Sequence, residues 1–188
     1  MISVVIPAAG LSTRMGDANK LLLDIDGEAM IKRVVRRALS LHVGPVVVVT
    51  GHEARDVQRV LGGLDVTLVM NSEFELGMGS SLRVGVRATQ PPDGMLIWPA
   101  DMPLIRLDTA RGICNTYSRD TITVPVYEGR KGHPVLFGAG FRDALLAIAP
   151  ETGARSVLAK FDHSIHQIEV DDAGILLDID TPADWKNL

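Results

Sequence analysis

Short runs rich in β-branched residues recur along this chain, and each stops abruptly at small or polar residues. Ser3–Pro7, Val46–Thr50, Val66–Met70, Met95–Trp98 and Ile122–Val126 have this form. A strand buried on both faces is apolar almost throughout, so such runs belong to a mainly parallel sheet covered by helices. The intervening stretches carry helical spacing. In Glu28–Leu41, Ile31, Val34, Val35, Ala38 and Leu39 share one face, with Lys32, Arg33, Arg36 and Arg37 on the other. The same reasoning predicts a short helix through Val57, Val60 and Leu61, and one toward Arg87 capped by Ser80 or Ser81. It also predicts helices over Leu107–Tyr117 and Phe141–Ile148. Glu128–Gly132 reads as a polar turn, and Pro134–Phe137, Ile165–Val170 and Ile175–Leu177 as late strands. Thr181-Pro182 places an N-cap hydroxyl before a proline at the first helical position, so a last helix starts there. The expected fold is α/β: a three-layer α/β/α arrangement around a mixed, mainly parallel, Rossmann-like sheet. No repeat or linker interrupts residues 1–188, which read as one domain.

The totals exclude several classes. The formal net charge of -4 argues against broad binding to nucleic acid or an anionic membrane, so any polyanion must be met by a few local cations. One cysteine, Cys114, excludes an intrachain disulfide and a cysteine-based zinc cluster, and its place in a predicted helix makes it a core residue. No basic segment precedes a long apolar run, and no apolar stretch is long enough to span a bilayer, so a cytoplasmic location is expected.

The first strand runs into the most informative segment, Ala8-Ala9-Gly10-Leu11-Ser12-Thr13-Arg14-Met15-Gly16, followed by Lys20. Small residues let backbone approach a ligand, exposed N–H groups line an anion, and Arg14 with Lys20 supplies positive charge. It is not a Walker loop, because Gly10 and Gly16 are too far apart and Asp17 follows the second glycine. Nor is it the dinucleotide fingerprint, which needs GxGxxG. The loop sits at the carboxyl end of a strand, where open α/β sheets bind ligands.

Other segments carry local chemistry of their own. Asp101 lies between an apolar strand and a proline; Asp178 and Asp180 follow another apolar run. A hard Mg²⁺ takes one or two carboxylates with phosphate oxygens and water, a set that these clusters can supply, although acidic residues also favour the helix start at Thr181. His133, between Gly132 and Pro134, reads equally as a turn residue or a site residue. His42, His52, His163 and His166 read as surface or packing residues. Asn71 and Gly77-Met78-Gly79-Ser80-Ser81 form a candidate pocket wall, with helix capping as the alternative.

The loop closely resembles the signature of the nucleotidyltransferases that share the nucleotide-diphospho-sugar transferase fold. With Asp101-Met102-Pro103, Gly132-His133-Pro134 and Asp178-Ile179-Asp180-Thr181-Pro182, the chain resembles the MobA-like branch, whose members attach a nucleotide to a molybdopterin. Gly-His-Pro makes it more similar to the cytidylyl-transferring members than to the guanylyl ones, and the matches run from residue 4 to residue 184. The resemblance implies transfer of CMP from CTP to the phosphate of a molybdopterin-type cofactor, with release of diphosphate. It implies that Arg14 and Lys20 hold the triphosphate beside Ala8, Ala9, Gly10 and Ser12, and that Asn71, Gly79, Ser80 and Ser81 face the nucleobase. Asp101 becomes a Mg²⁺ ligand, joined by Asp178 or Asp180, while Gly132, His133 and Pro134 meet the acceptor. A molybdoenzyme or its maturation chaperone is a further implied partner. The residues leave open another nucleotide such as GTP, another phosphorylated acceptor, or a non-catalytic nucleotide- or cofactor-binding protein. A nicotinamide-dependent oxidoreductase is disfavoured by the missing GxGxxG.

Overall fold

Strand β1 (Ile2–Ala8) runs through the middle of an eight-stranded sheet. The computed structural model describes residues 1–10, 19–91, 94–181 and 184. After β1 come a hairpin of β2 (Asp24–Ile25) and β3 (Glu28–Ala29), then α1 (Met30–Leu39), β4 (Val46–Thr50), α2 (Ala54–Val60) and β5 (Thr67–Met70). Next are α3 (Met78–Ala88), β6 (Gly94–Ile97), α4 (Leu107–Asn115), β7 (Ile122–Tyr127), β8 (Arg130–Lys131) and β9 (Val135–Phe137). The chain continues through α5 (Arg142–Leu146) and α6 (Arg155–Lys160) to β10 (Ile165–Glu169). Strand order is β10-β7-β9-β6-β1-β4-β5, with β8 added to β7. Only β8 and β9 run against the rest.

Alternation along the strands builds two cores. Val4 and Ile6 of β1 and Val46 and Val48 of β4 face the side covered by α1, α2 and α4. Val5 and Val49 face the side covered by α3, α5 and α6. The expected three layers and mixed, mainly parallel sheet are therefore present. On the second side the approach is close: a Cβ on Gly85 of α3 would lie 2.4 Å from Val5 Cγ1 and 2.9 Å from Val49 Cγ2. No described helix is long and apolar enough to cross a membrane.

Four local expectations are corrected. The helix predicted from Glu28 begins at Met30, because Asp26 and Gly27, both at positive φ, close a two-residue hairpin that takes Glu28 and Ala29 into β3. Glu128 and Gly129 do the same between β7 and β8, so the predicted polar turn contains a short strand. Ile175–Leu177 is not a strand: Ala173–Leu176 forms a 3-10 turn, started by Asp172 accepting from Gly174 N–H at 3.0 Å. Neither Ser80 nor Ser81 caps α3, which starts at Met78 after Gly77. The basic face of α1 is tied to its surroundings: Arg33 pairs with Asp26, Arg36 with Glu28, and Arg37 donates to the Ile105 carbonyl. At the C-terminus, Thr181 Oγ1 donates to Asp184 Oδ2 at 2.7 Å and accepts from Asp184 N–H at 3.2 Å, the reciprocal pattern of a helix start.

Candidate active site

The carboxyl ends of β1, β6 and β7 open into a cavity of about 670 Å³. Ala8 and Gly10 form its wall at the end of β1, and among the described residues nothing stands within 4 Å of where a Cβ on Gly10 would lie. Ala9 lies behind them, buried, its carbonyl accepting from His52 N–H. Ser12 and Arg14 lie outside the described residues.

Lys20 is delivered by a 3-10 turn over Lys20–Leu22. Asn19 caps it, its Oδ1 accepting from Leu21 N–H at 3.1 Å, and buried Leu21 anchors it in the core. Asp101 is delivered from the other side of β1. Trp98 N–H continues the ladder to the Val5 carbonyl at 3.0 Å, and a turn at Pro99–Met102 then presents the carboxylate. Ile179 N–H donates to the Asp101 carbonyl at 2.9 Å, which brings the C-terminal segment alongside. The outcome is that Lys20 Nζ donates to Asp101 Oδ2 at 2.7 Å and to Asp180 Oδ1 at 2.5 Å.

This ammonium is 14% exposed. Burial alone would lower its pKa, but the charges and hydrogen bonds of Asp101 and Asp180 outweigh burial and hold it above the ordinary lysine value. Lys20 is therefore a fixed cation at neutral pH. Because one nitrogen touches both carboxylates, a single cation placed there can touch both as well. No group of three or more His, Cys, Asp or Glu is arranged to hold a metal ion among the described residues. Two carboxylates are the share of a shell that a hard divalent ion takes from protein when phosphate oxygens and water complete it. Asp180, not exposed Asp178, lies within the cavity.

Gly132 and His133 form the opposite wall. Gly132 N–H donates to the Pro125 carbonyl and His133 N–H to the Ile175 carbonyl, each at 2.9 Å. A Cβ on Gly132 would stand 2.4 Å from the same Ile175 carbonyl, so only glycine lets the loop lie against the 3-10 turn. Asp172 fixes that turn by accepting from Arg106 N–H as well as Gly174 N–H. Pro134 is buried behind the wall and follows a cis peptide bond.

His133 Nδ1 is buried without a hydrogen-bond partner among the described residues. Burial lowers the His133 pKa most; Asp101 and Asp178 raise it, Arg155 lowers it, and the net is below the ordinary histidine value. The folded protein therefore resists a proton that the unfolded chain accepts, and stability is lost as pH falls from about 6.5 through the lowered value. His133→Asn is expected to show a smaller drop in Tm than the wild type between about pH 7.5 and about pH 5. Equal drops in thermal melts would show that burial does not hold His133 neutral.

The expected nucleobase segment is wired internally. Asn71 Nδ2 donates to Ser80 Oγ at 2.8 Å and Ser81 Oγ at 3.0 Å, and Ser80 N–H donates to the Gly77 and Pro150 carbonyls. Asn71, Gly79, Ser80 and Ser81 are buried behind the cavity, and Met78 and Leu82 of the same helix line it instead. Sequence reasoning included Met78 in a candidate pocket wall but missed Leu82, and it missed α6 with Arg155 and Leu158, which closes the far side. An amphipathic spacing at Ala154, Val157 and Leu158 was the available signal, but it says nothing of what the helix covers.

A six-strand parallel frame with one reversed strand inserted, and a lysine held by two carboxylates at its carboxyl edge, define a nucleotidyltransferase of the nucleotide-diphospho-sugar transferase fold. The chain belongs to the MobA-like NTP transferase domain family, whose pattern it matches over residues 4–167. It is similar to the molybdenum cofactor cytidylyltransferase of Escherichia coli K12, 29% identical over 185 residues covering 98% of this chain and 93% of that protein. It is also similar to nicotine blue oxidoreductase of Paenarthrobacter nicotinovorans, 26% identical over 96% of this chain and 92% of that one. A nucleotidyl transferase from Methanothermobacter superposes with a TM-score of 0.87 at 28% identity, covering 100% of this chain and 95% of that one.

Proposed function

We propose that this protein transfers CMP from CTP to the phosphate of a molybdopterin-type cofactor and releases diphosphate, with Mg²⁺ held by Asp101 and Asp180. The observation that carries the reading is the pair of carboxylates meeting on part-buried Lys20 beside Ala8 and Gly10. The full-length similarity to a cytidylyltransferase of that pathway supports the choice of substrates. When bound, Mg²⁺ supplies charge neutralisation of the phosphates.

The chain's own residues do the rest. A phosphate monoester has its second pKa near ~6, so the acceptor arrives ionised and needs no strong base. One of its oxygens forms a bond to the α-phosphorus while the bond from that phosphorus to the α–β bridging oxygen breaks, and diphosphate leaves with the electron pair. Lys20, fixed as a cation, faces charge on the triphosphate, and the backbone at Ala8 and Gly10 lets phosphate approach closely. His133, kept neutral by burial, adds no positive charge of its own at the acceptor wall. The dinucleotide product would pass to a molybdoenzyme or its maturation chaperone.

The test is diphosphate release from each of the four ribonucleoside triphosphates with Mg²⁺, with and without molybdopterin. CTP and molybdopterin together are expected to give release and a CMP-adduct detected by mass. A preference for GTP, or release only with another phosphorylated acceptor, would overturn the substrate assignment. Oxidation of a reduced nicotinamide dinucleotide by an added electron acceptor, without diphosphate release, would overturn the transferase reading in favour of an oxidoreductase.

A further inference from the structure

The cavity has a second charged rim. Lys131, at the end of β8, and Arg155, the first residue of α6, both line it. Neither makes a side-chain hydrogen bond or ion pair with any described residue. Lys20 is different, since its one positive charge already faces two carboxylates. Among the described residues that end of the cavity carries two carboxylates to one ammonium, so the charge of Lys20 is already committed when a second, doubly charged phosphate arrives. His133 lines the same cavity. The wall beside Arg155 is apolar, formed by Met78, Leu82 and Leu158.

We propose that Lys131 and Arg155 form an anion subsite that receives the phosphate of the acceptor, while the apolar wall at Met78 and Leu158 carries the acceptor's ring body. The assignment rests on the transferase reading above and adds the residues that discriminate an acceptor with a phosphate monoester from a neutral one. A guanidinium meets two oxygens of a phosphate at once, and an ammonium contributes a point charge, so the pair supplies both orientation and attraction. The side chains of Lys131 and Arg155 are exposed, so replacing them removes charge without opening the core.

The test uses Arg155→Gln, Lys131→Gln and the double variant of the full chain, with thermal melts to establish that each is folded. The KM for molybdopterin is expected to rise about 10- to 100-fold in Arg155→Gln and further in the double variant. Arg155→Lys is expected to recover part of the loss, and the dissociation constant for CTP with Mg²⁺ is expected to stay within about twofold. An unchanged KM for molybdopterin, or a parallel loss of CTP binding, would overturn the subsite. If the wild type makes no CMP-molybdopterin, the transferase reading fails, and phenyl phosphate titrated by calorimetry decides the subsite separately. Binding by the wild type that the double variant lacks upholds it; equal binding, or none by the wild type, overturns it.

Discussion

Lys20→Met is expected to slow nucleotidyl transfer by about 10²- to 10³-fold and to lower stability at the same time. The two losses have one origin. In the wild type a 14% exposed ammonium lies 2.7 Å from Asp101 and 2.5 Å from Asp180, whose side chains are 24% and 23% exposed. Removing the cation takes away a preorganised charge from the place where phosphate charge is handled. It also leaves two part-buried carboxylates facing each other. Removing one partner of a fully buried pair costs about 3–5 kcal/mol. With roughly a quarter of each carboxylate in water, a cost of about 1–3 kcal/mol is expected, or a fall in Tm of about 2–12 °C for a chain of this length. Millimolar Mg²⁺ is expected to restore more Tm in the variant than it adds to the wild type, since the ion takes the place the ammonium has left. Steady-state diphosphate release and thermal melts with and without Mg²⁺ check both parts. Activity within tenfold of wild type, or an unchanged Tm, would remove Lys20 from the centre of the site.

Gly79→Ala is expected to destabilise the protein by about 2–3 kcal/mol, although alanine is the better helix former by about 1 kcal/mol. A Cβ at this position would stand 2.1 Å from the Ala149 carbonyl oxygen and 2.3 Å from that of Thr152. Both are backbone atoms, so relief requires the 149–152 turn to move away from α3. That movement separates the two walls of the cavity, with Met78 and Leu82 on one side and Gly153 to Arg155 on the other. Substrate KM is therefore expected to rise along with the loss of stability. Gly112→Ala is the matching control: it also lies in a helix, α4, but nothing stands within 4 Å of its added carbon. That change is expected to be neutral or stabilising by up to about 1 kcal/mol. Urea unfolding of both variants tests the pair, and a Gly79→Ala protein no less stable than Gly112→Ala would refute the packing argument.

The parts of the fold that depend on local pattern were legible. β1 and β4 were recognisable because a strand buried on both faces must be apolar at every position, and α1 because its five buried residues repeat at helical spacing. The hairpin at Asp26-Gly27 was equally local and was overlooked, since the apolar pattern of α1 drew the helix start back to Glu28. Ile175–Leu177 failed for a different reason. Three apolar residues fit strand and turn alike, and the choice is made by Asp172, whose carboxylate accepts from Gly174 N–H and from Arg106 N–H, 66 positions away.

The site divides along the same line. The sequence by itself determined the kinds of group present: small residues and cations after β1, a carboxylate after β6, and an acidic pair before the last helix start. Chemistry of that kind is carried by single residues and their neighbours. Only the tertiary structure decided which groups meet. Lys20 reaches Asp101 across 81 positions and Asp180 across 160, and one backbone hydrogen bond from Ile179 to Asp101 selects Asp180 over Asp178. It also set the 149–152 turn against Gly79 at the start of α3 and placed Arg155 at the cavity rim. Such meetings depend on how helices pack on a sheet, and packing is fixed by shape across distant segments rather than by the order of residues within one.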